Sequence, residues 1–156
     1  MSSLFRRLPL LLAALVAVSL FLACEPSTSK REFHVADIIQ TTVVVPPHDC
    51  VETRATLTPA MVNYPDLPAT LYVSYEVKYA TEPHDTLSDY VMTYDNWLAF
   101  DQSLPCTKMQ EHHGSRSGDF WIPRMKTAGD YSFVLENRDP DANRAVHIHL
   151  WWGYYD

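Results

Sequence analysis

The chain has 156 residues, with nineteen acidic against twelve basic side chains, and its net charge of −7 belongs to a size that suits one domain. That balance excludes nucleic acid as a partner and disfavours adsorption to anionic lipid headgroups. Three cysteines and no Asn-x-Ser/Thr acceptor make thiol chemistry, not glycosylation, the covalent question.

The first element stands apart from the domain. Arg6 and Arg7 precede an apolar run over residues 8–23. It is shorter than the roughly 20 residues a bilayer span needs and suits the core of an export signal. It ends in LFLAC, residues 20–24, which resembles the lipobox of bacterial lipoproteins, with Phe21 where leucine is usual. The resemblance implies a signal peptide over residues 1–23 and acylation (palmitate included) of Cys24 as the mature N-terminus. It also implies an address in the bacterial cell envelope, lipid-anchored in the inner or, by preference, the outer membrane, with the domain facing the periplasm or the surface. A plain secretory signal cleaved nearby and an uncleaved anchor are the competing readings. EPSTSKRE, residues 25–32, is polar and has no large apolar side chain, so residues 24–32 read as the lipidated cysteine and a flexible tether. With Arg6 and Arg7 set aside, ten basic residues face nineteen acidic ones, a net of −9.

From residue 33 the periodicity is two. FHVADIIQTTVVV, residues 33–45, is a β-branched run, and residues 51–57 continue the habit. In ATLYVSYEVKYA, Leu71, Val73, Tyr75, Val77 and Tyr79 share one face, opposite Thr70, Tyr72, Ser74, Glu76 and Lys78. That is a strand with one wet side. Further strands are expected over residues 89–100 and 119–125, then through Tyr131, Phe133 and Leu135. The last is AVHIHLWWGYY, with Val146, Ile148, Leu150, Trp152 and Tyr154 inward. PPHD, YPDLP, EPHD, residues 114–118 and RDPDAN supply the turns. Eleven prolines, four glycines and no 3.6-residue stripe predict an all-β domain over residues 33–156. We expect an antiparallel β-sandwich of seven to eight strands.

Two segments carry a further resemblance. AGDYSFVLENRDPDANRAVHIHLWW resembles the end of GOLD-type (Golgi dynamics, emp-related) β-sandwiches, through Gly129, Tyr131, Phe133 and Asn137. VMTYDNWLAFDQS is similar to a segment of bacterial sandwich lipoproteins of that kind, through Asp95, Asn96, Trp97 and Phe100. The resemblance implies the fold; the helical stalk and membrane-spanning tail of the secretory-pathway members are missing, so cargo-receptor activity does not carry over.

Candidate chemistry is sparse. With Cys24 assigned to lipid, Cys50 and Cys106 remain, and an oxidising compartment favours a disulfide between them, two free buried thiols being the alternative. Asp139, Asp141 and Asn143 match the start of a calcium loop, but Arg144 stands at its glycine place and Leu150 at its glutamate place, so a turn explains them better. His147 and His149 lie on one face of a strand, about 7 Å apart. With His112 and His113 they offer imidazoles for zinc or copper; no other cofactor is expected. No nucleophile elbow, phosphate loop or zinc-protease motif is present, so no catalytic residue is assigned and an enzyme is not expected. Tyr72, Trp151 and Tyr155 fall opposite the core set, with Trp97 and Trp121 near loops; exposed rings mark a contact surface, unless a covering layer buries them. The leading expectation is a membrane-anchored, non-enzymatic binding module with an envelope protein partner. A metal-binding protein and a structural subunit that assembles through sandwich edges are the alternatives.

Overall fold

In the computed structural model the described residues are 31–64, 66–78 and 86–155. The expected signal peptide, Cys24, most of the tether, Tyr79 and the EPHD turn lie outside them. Period-two alternation becomes eight strands: β1 (Phe33–Val45), β2 (Asp49–Leu57), β3 (Ala69–Val77), β4 (Leu87–Thr93), β5 (Gln110–Ser115), β6 (Ser117–Met125), β7 (Gly129–Asn137) and β8 (Arg144–Tyr155). They form two antiparallel four-stranded sheets. Sheet A has the order β1-β8-β3-β6 and sheet B the order β2-β7-β4-β5. The chain changes sheet at every connection except that from β4 to β5. The expected sandwich is what forms.

Its core is the inward alternation. Leu71, Val73, Tyr75 and Val77 of β3 and Val146, Ile148, Leu150 and Trp152 of β8 are buried against Leu57, Leu87, Val91, Phe133 and Leu135 of sheet B. Polar bonds tie the layers together. Trp152 Nε1 donates to the Thr56 carbonyl at 3.1 Å. The Tyr75 hydroxyl, on sheet A, donates to Asp89 Oδ2 of sheet B at 2.7 Å. At the start of β7 the Tyr131 hydroxyl donates to the Thr127 carbonyl at 2.7 Å, the corner bond of many sandwiches.

Residues 94–100 were expected to prolong β4 and instead form a helix, α1 (Tyr94–Asp101). Thr93 caps it, accepting from the Asn96 amide, and Asp95 sits favourably in the first turn. The helix lies on the outer face of sheet B, where Trp97, Phe100 and Cys50 pack on Tyr90, Met92 and Val134. That cover explains why β4 is buried from Leu87 through Met92, on both faces. The polar stretch QEHHGS, for which no strand was predicted, is the edge strand β5, paired with β4.

The RDPDAN segment is a turn. Asp139 Oδ1 accepts from the amides of Asp141 and Ala142, and Oδ2 from Arg144. Asn137, buried at the end of β7, donates to the carbonyls of Val45 and Ala142 and accepts from the Asp139 amide. One side chain thus satisfies two backbone groups of this connection and ties it to the end of β1 through a third.

Candidate functional site: the outer face of sheet A

β8 decides which side chains meet on the outer face of sheet A. Its even-numbered residues face the core, so His147, His149, Trp151, Gly153 and Tyr155 face away. Register then aligns the neighbours. Trp121 of β6, Tyr72 of β3 and Trp151 of β8 lie opposite one another across three strands. Tyr72 stacks on Trp151 with centroids 5.2 Å apart and planes within 5°. His149 leans on the same indole at 4.4 Å. Trp121 is 64% exposed, the most exposed large apolar side chain among the described residues.

A second aromatic pair joins this row. Phe33 of β1 meets Tyr155 edge-on at 5.3 Å. Gly153 is where the two groups converge: a Cβ there would sit 2.8 Å from Phe33 Cζ and 2.9 Å from Tyr72 Cε2. Only a residue without a side chain lets both rings lie across β8. The outcome is an aromatic strip reaching over all four strands, from Phe33 and Tyr155 through Tyr72 and Trp151 to Trp121. Hydrogen-bonding groups flank it. His149 Nε2 lies 3.1 Å from Asp37 Oδ1, and Ser74 and Asp119 occupy the next row. Rings with a polar rim combine large buriable area with orienting groups, the composition that protein contacts favour.

The aromatics expected at a surface divide. Tyr72, Trp121, Trp151 and Tyr155 belong to the strip. Trp97 does not: it sits on α1 and packs on the cluster beneath. Phe33 and Gly153 were not singled out from sequence. The signal was there for Phe33, in phase with Val35 and Asp37, but its meeting with Tyr72 depends on strand order.

The four histidines separate. His147 and His149 are on sheet A, with Thr42 Oγ1 3.4 Å from His147 Nδ1. His112 and His113 are on β5 of sheet B, and as strand neighbours they point to opposite faces. His113 Nδ1 lies 3.0 Å from Ser88 Oγ on the outer face. Among the described residues no group of three His, Cys, Asp or Glu side chains is placed to hold a metal ion. The expected convergence of the four imidazoles for zinc or copper does not occur.

His112 instead completes a network that sequence did not reveal. Its Nδ1 is 3.0 Å from Oδ1 of Asp89, a carboxylate with no exposed surface, while Tyr75 holds the other oxygen. Gln110 Nε2 lies 3.0 Å from His112 Nε2. A small cavity of about 150 Å³ adjoins it, lined by Ser115, Ser117, Asp119 and Phe120. Burial, reinforced by the bond to Asp89, pushes the Tyr75 phenol well above its ordinary range. A donor on each carboxylate oxygen accounts for this buried acid as a clamp between sheets.

Cys50 and Cys106 are both free thiols, so the expected disulfide is not formed. Their neighbours lie at opposite ends of α1. Cys50 packs on the cluster containing Phe100 and is near Asp101. The residue after Cys106, Thr107, donates its amide to Asn96 Oδ1 in the first turn of the helix, at 2.8 Å. Burial first, then the carboxylates of Asp49, Asp101 and Glu136, push the Cys50 thiol up to about 11. Such a thiol is a poor nucleophile at neutral pH.

Neither protein-family models nor curated protein sequences yielded a match to this chain.

Proposed function

We propose that this chain is a bacterial envelope lipoprotein, held to the membrane through acylated Cys24, whose GOLD-like sandwich is a non-enzymatic binding module for another envelope protein. The contact surface is the aromatic strip on sheet A. The observation that carries this reading is Trp121, largely exposed and in register with Tyr72 and Trp151. Isolated exposed apolar residues are ordinary, whereas a contiguous aromatic row bounded by polar groups marks an interaction site. The lipobox-like LFLAC and the polar segment after it support the anchor, since multiple acyl chains at about 0.8 kcal/mol per buried CH₂ hold a protein firmly. The metal reading is disfavoured by the separation of the histidines.

The test is chemical cross-linking and pull-down of the tagged full chain from native membranes, comparing parent with Trp121→Ala. An anchoring tryptophan contributes roughly 2 kcal/mol or more, so recovery of the partner should fall by about 30-fold while the thermal midpoint stays put. Equal recovery with both chains would remove the strip from the account.

A further inference from the structure

The sandwich has four free edges among the described residues: β1 and β6 on sheet A, β2 and β5 on sheet B. Unpaired edges invite other strands, and three of these four carry the usual protections. β2 bears Glu52 and Arg54. β5 is six residues long and bears Glu111. β6 contains Pro123, which has no amide to donate, followed by Arg124 at φ 63°. β1 differs. A bulge between Asp37 and Ile39 interrupts its first half, but residues 38–45, IIQTTVVV, contain no charge, glycine or proline. The strand is the longest in the fold at 13 residues, and Phe33, Val35 and Val44 on it are 52–59% exposed. Of these, Val44 lies within the uncharged stretch, whereas Phe33 and Val35 precede the bulge.

We propose that β1 pairs with β1 of a second copy of this chain. The strands run antiparallel about a two-fold axis at Thr42 and join two A sheets into one of eight strands. A second copy is the fitting occupant because of charge. A chain of net charge −7 repels itself along its charged edges, whereas residues 38–45 meet their own image without like charges. In this register Thr42 faces Thr42 and Gln40 faces Val44, so cross-strand threonines meet and the exposed valine is covered. The contact is isologous and closes after two copies. This pairing is independent of the aromatic strip and holds whether or not the strip binds a partner.

The test uses the full chain in detergent micelles, with protein mass from light scattering combined with absorbance. Two chains per particle are expected. In a Cys50→Ser, Cys106→Ser background, Thr42→Cys should oxidise to a covalent dimer, while Ser74→Cys, two strands inward on the same face, should not. Gln40→Lys with Val44→Lys places lysines opposite one another and should give one chain per particle. Both sites are exposed, so the thermal midpoint should hold within a few degrees. One chain per particle in the parent overturns the proposal. So do dimers that survive both lysines and give no cross-link at Thr42, because those copies meet elsewhere.

Discussion

Replacing Tyr75 by Phe removes one oxygen and nothing else. The ring keeps its place against Phe133, with centroids 5.9 Å apart, and over Gly118, where a methyl group would collide with it. No cavity larger than a hydroxyl is left. What changes is Asp89, fully buried, which loses the 2.7 Å donor on Oδ2 and keeps only His112 on Oδ1. A hydrogen bond to a charged group contributes roughly 1.5–3 kcal/mol, and the stranded acceptor cannot recover water inside the sandwich. For a domain of this size each kcal/mol moves the midpoint by about 3–6 °C, so Tyr75→Phe should melt roughly 5–18 °C lower. Urea titration followed by tryptophan fluorescence should show a lower midpoint with an unchanged slope. Adding Asp89→Leu to Tyr75→Phe should cost far less than the two single losses combined, because no buried carboxylate is then stranded and the partly exposed His112 can turn to water. Additive losses, or a Tyr75→Phe chain within 0.5 kcal/mol of the parent on the scale of ordinary surface changes, would refute the clamp.

Other consequences can be checked alongside. A Cys50 thiol raised from 9.0 to about 11 has about a hundredfold less thiolate at pH 8, so iodoacetamide should modify Cys50 slowly in the folded chain and quickly in urea, as read by peptide mass spectrometry. Burial raises the Tyr75, Tyr90 and Tyr131 phenols above 10.0, Tyr90 to about 12 with help from its bond to Glu136. Between pH 10 and about 12 the folded chain therefore binds more protons than the unfolded one. This contribution to stability should be complete below pH 10 and lost as pH climbs through that window, which denaturation series will show. Radiolabelled fatty acid should enter the full chain and be lost with Cys24→Ala; label that persists would remove the anchor.

The parts of the fold readable in sequence are those that local periodicity determines. Leu71 to Val77 and Val146 to Trp152 alternate because each strand has one dry face, and both were assigned correctly. Asn137 could be recognised as a turn residue, since an amide at a strand end has backbone groups to satisfy. The helix α1 was hidden. Trp97 and Phe100 are a single i, i+3 pair in eight residues, too few to establish a helical period against the strand that precedes them. Asp89 reads as an ordinary polar residue in SDYVMT. Its partner Tyr75 is 14 positions away on the other sheet, and only the packing of sheets joins them. The histidines failed for the same reason: counting imidazoles says nothing about which sheet carries them. The aromatic strip was half legible, since alternation placed Trp151 and Tyr155 outward while strand order brought Trp121 and Phe33 beside them.

In the proposed function sheet A, not the helix-covered sheet B, meets the partner. A photoreactive residue placed at Ser74, beside the strip, and in a separate chain at Leu98, exposed on α1, compares the two faces in native membranes. A discrete protein adduct is expected from position 74, reduced by Trp121→Ala, and none above background from position 98. An adduct of equal or greater yield from position 98 would contradict that proposal.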